Sequence, residues 1–340
     1  MYVFKAMKIF NLKKIIPIWI KEPIYIFLKE YRNIPLSIAK WHAICDFANN
    51  FKLNENKKIT IYKETHKKIY HYLYRKYQYV FVQHQDYSVG MEVPDAHIWI
   101  FWWQGETNMP ELVENCIKSI RFNCGNHPVI LVTKDNYTDY VNLPDYIISK
   151  VKAGKISLTH FSDILRVNLI ATHGGYWLDS TIFCTSLIKE KIFKNPIYTG
   201  KNVGKDLYNI SQWRWTGYAI SGWKNNVLFC FVRDLFNEYW KNENYLVDYY
   251  LIDYMIYMVY KNIPLVKKII DDIEDNNVNQ TLLQNELNDA YTEQKFNYII
   301  NNETSLYKLS WKQTYNKYTL NGEKTIYNKW CEYVNTIMNN

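Results

Sequence analysis

Residues 160–185, HFSDILRVNLIATHGGYWLDSTIFCT, constrain this chain more than any other stretch. They predict a helix, a Gly-Gly turn, and a strand that carries one acid out of an apolar run. Asp163 and Arg166 lie one helical turn apart and share a helix face. Asp179 falls where the strand leaves the sheet. An unpaired carboxylate is costly inside a buried strand, and ligands of open α/β sheets bind outside the carboxyl ends of the strands. An acid at that edge, beside a helix that offers an Asp and an Arg, points to a site for an anionic, hydroxyl-rich ligand.

The flanking sequence supplies a sheet for that strand. Residues 97–103 are almost continuously apolar, as suits a strand covered on both faces. Residues 104–109 read as a loop. Pro110 opens a helix to about Asn123, with Leu112, Cys116, Ile117 and Ile120 inward and Gly125 as its stop. Residues 128–133 are a second strand, and the βαβ alternation argues for a parallel sheet. Residues 145–155 read as a polar connection, after which Ser157 or Thr159 caps the helix of Asp163. Further on, 213–222 reads as a strand ending in a Gly turn. Helices follow over 227–241, 247–261 and 264–273, then a loosely patterned Asn-rich stretch over 274–304. The segment 305–311 is a last strand and 325–338 a closing helix. Residues 1–92 form a helical N-terminal extension, in which Ile69, Leu73, Tyr77 and Val80 share one face. Residues 93–340 form the α/β domain with a helical C-terminal part.

With 340 residues and a 48% apolar fraction, a large core is available. The formal net charge of +8 favours acidic partners, such as nucleoside diphosphates or an anionic membrane surface. No familiar nucleic-acid motif appears, so no nucleic-acid partner is expected. The six cysteines include no C-x-x-C pair and read as reduced thiols of a cytoplasmic protein. The first 31 residues break every apolar run with Lys, Pro or Glu, which suits neither a secretion signal nor a membrane span. They also mix basic residues with Ile, Phe and Trp, as interfacial segments do. Packing on the domain and peripheral contact with the inner face of the cell membrane both stay open for them.

Taken together, Ser162, Asp163 and Arg166, then Gly174, Gly175, Tyr176, Trp177, Leu178, Asp179, Ser180 and Thr181, resemble a known pattern. It is that of the sugar-nucleotide-dependent glycosyltransferases with a DXD motif, above all the bacterial capsular polysaccharide synthesis type. Initiating mannosyltransferases and clostridial glucosylating toxins are more distant relatives. The strand HIWIFWWQG resembles the family's opening strand, and the likeness spans about residues 94–311. It implies a GT-A type fold, a nucleotide-binding sheet flanked by helices with N- and C-terminal helical extensions. It also implies retaining transfer of a hexose, from a UDP-sugar as co-substrate, to a growing capsular or other surface polysaccharide. The acceptor would be a glycan or a lipid-linked glycan.

By the same resemblance Trp102 stacks on the base. Asp163 bonds sugar hydroxyls, and Arg166 bridges sugar and phosphate. Asp179 holds the ribose and reaches a metal, with Ser162, Ser180 and Thr181 as hydroxyls around it. Ser310 and Trp311 belong to the closing loop. Asp253, an acid inside an apolar helix, is an acceptor-side candidate; a hydrogen bond to a neighbouring side chain explains it equally well. No general base is assigned, because in this class the leaving diphosphate can itself deprotonate the acceptor. One departure matters: Thr181 stands where the second acid of the motif belongs. Binding of Mn or Mg is therefore left open between weak, substrate-dependent and absent, with Lys312 expected to take over part of the diphosphate charge. Two other classes remain. One is a polysaccharide-modifying hydrolase using Asp163 and Asp179 as its carboxylate pair. The other is a non-catalytic protein that binds a sugar nucleotide or a glycan.

Overall fold

A computed structural model describes residues 18–51, 53–83, 88–204 and 207–337. Most of the basic, aromatic N-terminal stretch, residues 1–17, lies outside the described residues. The chain then builds four helices: α1 (Ile18–Glu30), α2 (Leu36–Asn50), α3 (Glu55–Tyr77) and α4 (Tyr79–Gln83). Asn54 caps α3, its side chain accepting from the Lys57 amide at 3.0 Å. The face predicted for the N-terminal extension is the packed one: Ile69, Leu73, Tyr77 and Val80 are all buried. They enter the same apolar core as Trp99, Phe161 and Trp177.

Next come β1 (Ile98–Phe101), α5 (Glu111–Phe122), β2 (Val129–Val132) and two short helices, α6 (Tyr137–Tyr140) and α7 (Asp145–Lys152). The central unit follows: α8 (Leu158–His173), β3 (Gly175–Leu178), β4 (Ile182–Cys184), β5 (Ile197–Thr199) and β6 (Ala219–Gly222). Five strands form one mixed sheet in the order β2-β1-β3-β6-β5. β1 runs parallel to both β2 and β3, while β6 runs antiparallel to β3 and β5. The α/β class expected from the sequence is the class observed.

Strand residues alternate faces, and here both faces are covered. Trp99, Phe101, Trp177 and Ile220 enter one core. Ile98, Ile100, Tyr176, Leu178 and Ala219 enter a second. This double burial is why 97–103 reads as an unbroken apolar run. From β1 the chain goes on to β2 on one side, and from β3 it goes on to the strands of the other side, so the connections at their carboxyl ends diverge. That opens a crevice outside the carboxyl ends of β1 and β3, where α/β sheets place their ligands.

The Gly-Gly pair makes the sharp entry into β3. Gly174 and Gly175 have φ of 71° and 107°, a region that side chains disfavour. A Cβ on Gly175 would lie 2.3 Å from the His97 carbonyl oxygen. The missing side chain lets β3 pair closely with the start of β1, and the Tyr176 amide donates to that same carbonyl at 2.9 Å.

The second half adds α9 (Val227–Asn242), α10 (Leu251–Asn262), α11 (Pro264–Asp272), α12 (Leu282–Glu286), α13 (Glu293–Asn301), β7 (Leu306–Lys308) and α14 (Ile326–Ile337). β7 pairs antiparallel with β4 in a separate two-stranded ribbon, with Lys308 opposite Ile182. Three expectations need correction. The polar connection at 145–155 is largely a helix, α7, anchored by the fully buried Ile147. The strand expected over 213–222 begins only at Ala219, because Gln212 and Trp213 take positive φ and break the extension. The loosely patterned 274–304 holds α12 and α13.

Candidate active site

α8 is positioned by its cap. The Ser157 hydroxyl accepts from the His160 amide at 3.2 Å, so of the two expected capping residues Ser157 serves. Almost all of α8 from His160 to Ala171 is buried, so Asp163 and Arg166 need partners inside the protein.

Arg166 finds them on both sides. Its Nη1 donates to Asp163 Oδ1 at 2.7 Å, and its Nη2 to Asp179 Oδ1 at 3.1 Å. The guanidinium lies 4.8 Å from the centre of the Trp177 ring, a cation–π contact. Trp177 Nε1 donates to the same Asp179 oxygen at 2.9 Å. The other oxygen, Asp179 Oδ2, accepts from Lys308 Nζ at 2.7 Å, and the same ammonium donates to Thr181 Oγ1 at 2.7 Å. Burial alone would raise the Asp179 carboxyl. The Lys308 and Arg166 cations, with the hydrogen bonds from Lys308 and Trp177, hold it well below the usual carboxylate range. Behind Asp163, Trp240 Nε1 of α9 donates to His160 Nε2 at 2.9 Å. The imidazole proton is thereby directed to Nδ1, which faces Asp163 Oδ2 at 3.3 Å.

These groups back a cleft of about 510 Å³ lined by Trp102, Ser162, Trp177, Asp179, Ser180, Thr181, Tyr249, Lys308, Ser310, Trp311 and Lys312, a size that suits a bound small molecule. The rings of Trp102 and Trp311 meet edge to face at 5.6 Å. Trp311 is 46% exposed, whereas Trp99 is core. The closing loop is tied down at Ser310, whose amide donates to Gln284 Oε1 at 2.6 Å and whose carbonyl accepts from the Tyr315 hydroxyl at 2.7 Å. A larger cavity of about 760 Å³ lies between β5 and the loop after α11, lined by Asp272, Glu274 and Asp275 among others. None of the residues expected to bind substrate or metal or to act in catalysis lines it, so the smaller cleft is the candidate site.

The structure thus gathers Trp102, Ser162, Ser180, Thr181, Ser310, Trp311 and Lys312 on the cleft wall. Asp163, Arg166 and Asp179 form one hydrogen-bonded chain beside it. Asp253 stands apart. It is buried in α10, accepts from Trp215 Nε1 at 2.9 Å, and does not line the cleft. Burial pushes its carboxyl up to about 7, opposed by the Trp215 bond and increased by the nearby Asp163 charge. Sequence reasoning missed Lys308. Its signal was a single charge inside the strand-like run SLYKLSW. It also missed Trp177, as ring and donor beneath Arg166, and Trp240 as the brace behind His160.

A divalent cation fits this donor set poorly. Such ions take several oxygen ligands, Mg usually one or two protein carboxylates with waters and substrate phosphates, and each protein oxygen must have a lone pair free for the ion. Both oxygens of Asp179 and the Thr181 hydroxyl are engaged by donors, one of them an ammonium. Among the described residues, no three His, Cys, Asp or Glu side chains come together in a way that could hold a metal ion.

The chain belongs to the capsular polysaccharide synthesis protein family, whose pattern matches residues 49–330. It is 29% identical over 98 residues to the O-glycosyltransferase braB of Annulohypoxylon truncatum, a match covering 26% of this chain and 23% of that one. The chain thus spans about a quarter of the length of that curated relative. Among solved structures, the PaToxG glycosyltransferase is similar with a TM-score of 0.36 and 14% identity, over 64% of this chain and 84% of that chain.

Proposed function

We propose that this protein is a glycosyltransferase that moves a hexose from a nucleotide sugar to a growing capsular or other surface polysaccharide. The Asp163–Arg166–Asp179–Lys308 chain beside the cleft carries the reading. Lys308 faces the cleft at a sheet edge that suits a diphosphate, and the buried Arg166 holds Asp179 from behind. Trp102 and Trp311 offer apolar faces for a base and for the closing loop. Ser162, Ser180 and Thr181 offer hydroxyls. The resemblance of residues 163–181 to sugar-nucleotide-dependent glycosyltransferases favours a UDP-sugar donor and retention of configuration. The acceptor is a glycan, free or lipid-linked.

The hydrolase alternative has less support. Such chemistry pairs a carboxyl of raised pKa with an ionised one, both facing the sugar. Here Asp179 is held down, and Asp163 shares its Arg166 partner. Asp253, the acid that is pushed up, lies away from the cleft.

Melting curves with UDP-, GDP- and CDP-sugars test the donor. One of them at about a hundred times its Kd should raise the melting temperature by about 3 °C or more. Arg166→Lys keeps the charge and loses the fork, and should lower transfer by about a hundredfold. No shift with any nucleotide sugar would overturn the donor assignment, and full turnover in Arg166→Lys would overturn the role given to its fork.

A further inference from the structure

Lys308 occupies the position that a metal would need. Its ammonium sits between a carboxylate oxygen of residue 179 and the side-chain oxygen of residue 181, at 2.7 Å from each. These are the two positions whose acids would grip a divalent cation in an Asp-x-Asp motif. We infer that the Lys308 ammonium does that cation's work, meeting the diphosphate of a nucleoside diphosphate directly, so that this ligand binds without metal. The inference rests on the donor reading above.

Charge balance supports it. Two carboxylates and a divalent cation sum to zero, and so do one carboxylate, one hydroxyl and one ammonium. Changing the second acid to Thr181 and the ion to Lys308 leaves the local charge of the site as it was. The geometry agrees. Lys308 is fixed in β7 opposite Ile182 of β4, and its side chain is 30% exposed on the cleft side. An ammonium has three N–H bonds. Asp179 and Thr181 take two; Nζ also lies 5.6 Å from the centre of the Tyr218 ring, a weak contact that a phosphate oxygen can replace at the third N–H. Arg166, held by Asp163 and Asp179, lies on the other side of Asp179. In transfer, the bond from the sugar C1 to the phosphate oxygen breaks and its electron pair leaves with the diphosphate. The acceptor oxygen bonds to C1, and its proton passes to the departing diphosphate. The negative charge that builds on the phosphate oxygen as the C1 bond breaks, before the proton arrives, falls beside Lys308.

Titration calorimetry with UDP, GDP and CDP, each in EDTA and in excess Mn²⁺, tests this on the intact protein. The nucleotide that binds should do so with a Kd that agrees within about threefold in the two conditions, and Lys308→Met should weaken it by about tenfold or more. Lys308→Ala combined with Thr181→Asp restores the acid pair and should bind the same nucleotide only with Mn²⁺. Wild-type binding that vanishes in EDTA and returns with Mn²⁺ would overturn the inference and leave the donor reading standing. A wild-type protein that binds none of the three in either condition would overturn both. The chelator comparison needs no variant, so a Lys308 variant that fails to fold does not blunt the test.

Discussion

At the scale of single residues, Asp253 is the acid least willing to ionise. Its folded pKa of about 7 lies above the ordinary value near 3.8, so between those values the native state holds a proton that the unfolded chain releases. Its contribution to stability is complete below about pH 4 and is lost as the pH climbs through about 7. Asp253→Asn keeps an oxygen for the Trp215 indole and removes the titration. Between pH 5 and pH 8 the variant should lose about 1–3 kcal/mol less stability than the wild type, as urea unfolding at the two pH values would read. Equal losses would show that Asp253 does not titrate there. Asp163, Arg166 and Asp179 were legible in the sequence because 17 consecutive residues carry them all on one helix, turn and strand. Lys308 was not, because its partner lies 129 positions away. Only the pairing of β4 with β7 brings the two together.

At the scale of elements, the Gly-Gly entry to β3 is the most exacting joint in the fold. Gly175 combines a φ of 107° with a carbonyl where its Cβ would stand. Both the strain and the clash would act in Gly175→Ala, which should cost about 3 kcal/mol or more in a chemical unfolding curve. A wild-type curve would mean that β3 can shift away from β1 freely. Elements with a long apolar period, such as α8 and α9, could be placed from sequence to within a few residues. β4 and β5 have three residues each, and α7 buries one side chain fully, so their period was too brief to see. Tertiary packing decides such segments.

At the scale of the whole molecule, the sheet separates two cores, and the N-terminal helices complete one of them. Those helices also expose apolar side chains: Ile24, Tyr25 and Leu36 are 41%, 55% and 61% exposed, near the exposed Lys29 and Lys40. Among the described residues no helix is long and apolar enough to cross a membrane. If the N-terminal stretch makes the peripheral contact with the inner membrane face that its sequence leaves open, the protein should sediment with phosphatidylglycerol vesicles and not with neutral ones, and about 0.5 M salt should release it. Equal recovery from both vesicle types would rule that placement out. The sheet and its ligand edge could be read from the chain. The sharing of a core by helices and sheet could not, since it depends on contacts between distant segments. Lys308, finally, has a consequence for the cell. An ammonium on the chain is present once in every copy of the protein from the moment it folds. It is not diluted when manganese is scarce, and calcium or zinc cannot displace it. A site built this way would keep its positive charge through a shortage of divalent metal.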